Sequence, residues 1–277
     1  MRYGALQKTW NYLKTFILLA SLAGFIFCCG FHTVSQPEKF DVRLLSSYTT
    51  RFDGGNEARS HNIRLAARFI SGCVIGNGEV FSFNGTVGQR TPERGFKRAA
   101  IIKDGEFVEG VGGGVCQVST TLYNAALLSG CKVREYHPHS LPVGYVPPSR
   151  DAMVSGTFFD LRFENTTGST IYIKSETGKN FITFKIYGRD FGARYSCRSV
   201  VTGSIAAPEE FTDDRTLVRV GKDGIISESY LTVTRGGVSR EVLLRRDKYA
   251  PQKRVTYKVE ELPPEILTPE INENIFS

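Results

Sequence analysis

The sequence predicts an α+β fold dominated by strands: a β-rich domain with a few short helices, followed by a small all-β module. Three observations predict it. The 28 glycines fall mainly between short apolar runs, as in a fold of short strands joined by turns. Two stretches, one after Ser60 and one after Gly114, space their apolar residues as a helix does. From Met153 onward the apolar residues alternate instead, with Phe159, Leu161 and Phe163 set against Asp160, Arg162 and Glu164. With 277 residues, 41% hydrophobic and 23% charged, the chain has a globular composition and the length of one large domain, or of one domain plus a small one.

In chain order, Arg2, Lys8 and Lys14 precede an uncharged run over 15–31. That run sits at the lower limit, about 17 residues, for a helix crossing a bilayer. Basic residues before it and none within it set 1–14 in the cytoplasm. We read 15–31 as an uncleaved single-pass anchor in the cell membrane rather than a cleaved signal peptide, because no clean A-x-A site follows. The main domain is then extracytoplasmic. Setting the three flanking cations aside, the net charge falls from +7 to about +4. No dense basic stripe with interleaved aromatics is present, which argues against a nucleic-acid partner.

Residues 32–56 read as a tether ending in the turn Asp53-Gly54-Gly55-Asn56. Ser60 then caps a helix with Ile63, Ala66, Ala67 and Ile70 on one face, and Gly72 stops it. Residues 79–84 alternate as a strand, 89–98 form a polar loop, and Lys103-Asp104-Gly105-Glu106 marks a hairpin turn. The second helix carries Val118, Leu122, Ala125 and Ala126 as its apolar stripe and ends at Gly130, before a returning strand over 132–136. Residues 188–208 read as a boundary. Beyond it, 217–220, 229–234 and 241–244 read as three strands of a module over 209–258, and 259–277 as a loose tail.

The chemistry centres on Cys116, which follows Gly112, Gly113 and Gly114 and opens the second helix. A helix N-terminus carries positive partial charge and unpaired N–H groups, both of which stabilise a thiolate. Glycines let successive N–H groups converge into a nest suited to an oxyanion. Gln117, Ser119 and Thr120 offer polar groups on the first turn, which the pattern sets on the exposed side. A cysteine nucleophile needs a base, and His137 and His139 follow one strand after the helix. Asp151 and Asn84, each in an expected turn, are both candidates to orient an imidazole. A metal set of Cys116, His137, His139 and Asp151 is the lower-ranked alternative. Of the six cysteines, Cys28 and Cys29 lie in the anchor. Cys73, Cys116, Cys131 and Cys197 lack C-x-x-C spacing; a Cys73–Cys131 or Cys131–Cys197 bridge and buried free thiols are both open readings.

The segments Glu79-Val-Phe-Ser-Phe-Asn84, Gly112-Gly-Gly-Val-Cys-Gln-Val-Ser-Thr-Thr-Leu-Tyr-Asn-Ala125, His137-Pro-His-Ser140 and Asp151-Ala-Met-Val154 resemble the VanW domain family. The likeness runs from about Thr49 to Gly188 and sets the domain at 57–190. Residues 209–258 resemble a shortened G5 module. The resemblance implies a cell-envelope setting, peptidoglycan stem peptides as substrate, and chemistry like that of L,D-transpeptidases, with Cys116 as nucleophile and His139, in its His-Ser pair, as partner. Acyl transfer of this kind needs no cofactor. A wall-peptide binding module with a structural Cys116 is the rival expectation.

Overall fold

The computed structural model describes residues 41–103, 105–156 and 158–258. The expected anchor, the residues before it and the C-terminal tail lie outside them. Among the described residues no helix is long and apolar enough to cross a membrane. Strands dominate, with few helices, so the fold is the β-rich α+β type expected.

Four antiparallel strands form the main sheet in the order β1 (Val42–Arg51), β9 (Phe181–Arg189), β8 (Ile171–Thr177) and β2 (Val74–Ile75). Ile171 and Ile173 of β8, with Ile182, Phe184 and Ile186 of β9, supply its buried side chains. Two helices pack on it: α1 (Glu57–Ile70) against β8, and α3 (Val115–Ser129) against β1 and β9. In α1 the expected stripe of Ile63, Ala66, Ala67 and Ile70 is fully buried. Burying an aliphatic side chain the size of isoleucine or leucine stabilises by about 1.5–3 kcal/mol, so these stripes fix the seat of both helices.

Three local expectations change. The N-cap of α1 is Asn56, whose side chain accepts from the Arg59 N–H at 3.0 Å; Ser60 lies inside the helix and is buried. The stretch read as a tether contains β1, a full partner of β9. After β3 (Val80–Ser82) the chain turns at once into a short helix α2 (Phe83–Val87), capped by the Ser82 hydroxyl, so the strand pattern over 79–84 stops early.

Strand β3 pairs with β7 (Arg162–Glu164), which pairs with β6 (Lys132–Glu135). Phe81 and Phe163 stack across β3 and β7 at 4.9 Å. Strands β4 (Arg98–Lys103) and β5 (Glu106–Val111) form the hairpin expected around Gly105, which leads directly into Gly112. C-terminally, β10 (Arg194–Ile205), β12 (Gly224–Arg235) and β13 (Val238–Tyr249) make a three-stranded antiparallel sheet, with turn glycines Gly236 and Gly237 at positive φ. Most of the segment read as a boundary is therefore strand. Strands β11 (Glu209–Thr212) and β14 (Arg254–Tyr257) pair in parallel, and 217–220, expected as a strand, carries the end of a 3-10 turn and one bridge, Arg219 to Val255. Cys73, Cys116, Cys131 and Cys197 are all free thiols.

Candidate functional site

The glycine segment sets the start of α3. Gly112 and Gly114 have φ of 87° and 101°, values an L side chain resists. Gly113 has an ordinary φ, but a Cβ there would lie 2.6 Å from the Ala100 carbonyl oxygen and 2.7 Å from the Ala99 carbonyl, on the adjoining strand β4. Main-chain turning and close approach together place Cys116 in the first turn of α3. The Gly112 N–H already donates to the Lys97 carbonyl at 3.0 Å, so Gly112 does not offer an oxyanion its N–H as expected. The N–H groups of Val115 and Gln117 likewise turn back onto Gly112 and Gly114.

Cys116, His139 and Asp151 come together. His139 and Cys116 line the same cleft, close enough for the imidazole to lower the thiol, whose Sγ donates to the Val154 carbonyl at 3.4 Å. His139 Nδ1 lies 2.6 Å from Asp151 Oδ2, and the His139 main-chain N–H donates to the same oxygen at 2.7 Å. His139 and Asp151 are buried, whereas Cys116 is half-buried. Burial by itself would raise the Cys116 thiol; the neighbouring His139, with the Val154 main chain and Arg90, outweighs it and holds the thiol below its usual range. Burial likewise disfavours the His139 cation, but Asp151 and Cys116 overcome it and raise the imidazole to about 9. Asp151 is held below the usual carboxylate range: burial opposes this, and His139, Arg245 and Tyr249 prevail. The three groups favour a thiolate–imidazolium pair steadied by a carboxylate.

The thiol lies in a cleft of about 730 Å³. The β4–β5 hairpin lines one side with Ile101, Ile102 and Phe107, and the loop carrying Tyr145 with the segment around Val154 lines the other. Arg59 and Arg90 also face the cleft, and no Asp or Glu lines it among the described residues. The guanidinium of Arg59 donates to Gln117 Oε1 at 2.8 Å and that of Arg90 to Asn84 Oδ1 at 2.6 Å; among the described residues neither pairs with a carboxylate.

The other expected site residues separate by place. Gln117 lines the cleft, yet it is buried and anchors α3 to β1, donating to Thr50 Oγ1 and the Arg51 carbonyl. Ser119 and Thr120 are not on an exposed side. Both are fully buried: Ser119 Oγ donates to the Ala152 carbonyl at 2.6 Å, and Thr120 Oγ1 accepts from the Ala152 N–H at 3.0 Å. They clamp α3 to the residue after Asp151. Asn84 holds Arg90 and has no contact with the imidazole. His137 lies outside the cleft lining, within 3.1 Å of Glu135 and tilted against Phe159. Among the described residues no three His, Cys, Asp or Glu side chains assemble as metal ligands, so the four-residue metal set is not formed.

Sequence reasoning missed Arg59, Arg90, Tyr145, Arg245 and Tyr249. The last two come from β13. The Tyr249 hydroxyl donates to Asp151 Oδ1 at 2.6 Å, and Arg245 donates to the Asp151 carbonyl at 2.6 Å. The alternation Arg245, Asp247, Tyr249 was the available signal. An inward face carrying two charged groups does not read as one.

The fold and the site define a strand-rich α+β domain whose helix-start cysteine is coupled to a His–carboxylate pair in an open cleft. Residues 58–187 match the model of the family described as VanW like protein, and the chain carries a VanW-like domain there. It is 44% identical over 149 residues to the uncharacterized protein YoaR of Bacillus subtilis (strain 168), covering 54% of this chain and 49% of that protein. It is 31% identical over 161 residues to the vancomycin B-type resistance protein VanW of Enterococcus faecalis (strain ATCC 700802 / V583), covering 53% of this chain and 57% of that protein. The chain thus spans about half the length of the curated relatives it matches. The crystal structure of HP0197-G5 aligns at 20% identity over 24% of this chain and 97% of that chain with a TM-score of 0.15, too low to bear on the fold.

Proposed function

We propose that the chain is an extracytoplasmic cysteine acyl transferase acting on peptidoglycan stem peptides, cross-linking them as an L,D-transpeptidase does. The observation that carries this reading is the half-buried Cys116 beside a His139 that Asp151 holds, at the wall of a peptide-sized cleft. The cationic side chains of Arg59 and Arg90 in the lining suit an acyl donor that bears carboxylates. The relative named for vancomycin resistance supports a cell-wall setting.

The Cys116 thiolate adds to the carbonyl carbon of a stem-peptide bond, and those N–H groups at the start of α3 that do not turn back into the protein steady the oxyanion. The C–N bond then breaks, its nitrogen takes the proton from the His139 imidazolium, and D-alanine leaves. The enzyme now carries a thioester, and His139 is neutral. The amine of a neighbouring stem peptide attacks the thioester and gives its proton to His139. A new peptide bond forms and the thiolate returns. Water in place of the amine gives carboxypeptidase activity. The thioester conserves the acyl energy, so the cycle draws on no cofactor.

The test is mass spectrometry of the purified protein mixed with a disaccharide-tetrapeptide. Expected are an acyl adduct on the protein, free D-alanine and cross-linked dimers. Folded protein that binds the tetrapeptide and leaves it intact would instead support a wall-peptide binding module.

A further inference from the structure

The C-terminal sheet reaches the site that the VanW-like domain builds. We propose that Tyr249 and Arg245 of β13 are positioning residues that fix the Asp151 carboxylate for His139, making the C-terminal sheet part of the catalytic centre. This rests on the reading of Cys116 and His139 as a working pair. Both residues lie beyond the 58–187 family match.

The two oxygens of Asp151 are divided. Oδ2 serves His139 alone, through the ring Nδ1 at 2.6 Å and the main-chain N–H at 2.7 Å. Oδ1 accepts from the Tyr249 hydroxyl at 2.6 Å and lies 3.5 Å from the Arg245 guanidinium. The same guanidinium grips the Asp151 carbonyl at 2.6 Å. It is steadied in turn by Asp247 at 2.6 Å and by the Tyr136 ring, 4.2 Å beneath it. A carboxylate turns easily about its last torsion. With both oxygens committed, Asp151 keeps one lone-pair direction on the imidazole.

The loop from His139 to Asp151 is tied to the same sheet along its length. The Ala250 N–H donates to the Ser140 carbonyl at 2.7 Å. The Ser149 N–H donates to the Tyr249 hydroxyl at 2.6 Å, and Ser149 Oγ meets Ser227 Oγ at 2.6 Å. Arg150 donates to the Cys197 carbonyl at 2.7 Å. Tyr249 and the Arg245 side chain are buried, so losing either leaves a charged group short of partners in a low dielectric.

Other ionisable groups bear on the same centre. Arg59 of α1 and Arg90 act on the thiol side, and Tyr145 feels both Cys116 and Asp151. Tyr123 of α3 and Tyr136, the residue after β6, reach Asp151 through Arg245. With His139, Arg245 and Tyr249 hold the Asp151 carboxyl low.

The test measures iodoacetamide alkylation of Cys116 across pH in the full chain, for wild type, Tyr249→Phe, Arg245→Lys and a control, Tyr230→Phe on the neighbouring strand, with circular dichroism to confirm folding. Without the tyrosine donor, Asp151 keeps its proton to higher pH. His139 then loses its counter-ion, and the thiolate with it. The acid limb of alkylation should move up by about 1–2 pH units in Tyr249→Phe and in the same direction in Arg245→Lys, while Tyr230→Phe stays at the wild-type limb. Folded variants with the wild-type limb would overturn the proposal, and if Tyr249→Phe does not fold, Arg245→Lys decides alone. The readout needs no peptidoglycan: a shifted limb with stem peptides left intact keeps this assignment and overturns the substrate. A wild-type Cys116 no more reactive than the other thiols overturns both.

Discussion

At the scale of single residues, the site divides the work among groups that differ in charge and reach. His139 lowers the thiol and is held by Asp151, whereas His137 faces Glu135 and Phe159. His139→Ala should therefore slow acylation by about 10²–10⁴-fold, the usual worth of acid–base help, while His137→Ala stays near wild type in a single-turnover assay. Equal losses in two folded variants would put the proton on the wrong ring. The pH dependence follows from the directions of the shifts. Cys116 is lowered and His139 is raised to about 9, so the ion pair exists from below the ordinary thiol range up to about 9. Above that pH the thiolate persists but the imidazolium proton is gone. Alkylation should then level off, while stem-peptide turnover falls with an alkaline limb near 9; two limbs that fall together would contradict this. Cys116 and the histidine pair were legible because a nucleophile after three glycines and a scarcity of histidines narrow the choice. Between Asp151 and Asn84 only the fold decides, since each sits in a turn and the deciding contact joins distant segments.

At the scale of elements, the start of α3 is where backbone shape and chemistry meet. Gly114→Ala forces a side chain into φ of 101°, with its Cβ 3.0 Å from Arg59 and Ile63 of α1. Gly113→Ala drives a Cβ into the main chain of β4. Each should cost about 1–3 kcal/mol in urea unfolding and lower Cys116 reactivity as well. A variant with wild-type stability and wild-type alkylation would remove the glycines from the account. Helices were legible where a local stripe repeats, as in Ile63, Ala66, Ala67 and Ile70, because the helical period is written in neighbouring residues. The all-round burial of α3 was not: Ser119, Thr120, Thr121 and Asn124 look like an exposed face until their hydrogen bonds to Ala152, Thr50 and Arg150 are seen. Strand β1 hid for a related reason, since its serines and threonines give no apolar alternation and only its pairing with β9 defines it.

At the scale of the whole molecule, a strand-rich fold with two principal helices was legible in the glycine spacing and the change of period after Met153. The tie between the C-terminal sheet and the site was not, because Arg245, Asp247 and Tyr249 present a polar inward face to a polar loop. The proposed chemistry requires the folded part to meet the cell wall. Alkaline phosphatase fused after Ser277 should therefore be active in a bacterial host, and a silent fusion with an active cytoplasmic reporter would overturn the extracytoplasmic setting. The central claim is that Cys116 forms the acyl bond. Its most direct measurement is peptide mapping of acid-quenched protein after brief exposure to a disaccharide-tetrapeptide, beside folded Cys116→Ser protein. The account predicts the acyl mass on the peptide containing Cys116, and no turnover from the serine variant, since serine is a far weaker nucleophile without a strong base. An adduct on another residue, or wild-type turnover by Cys116→Ser, would contradict it.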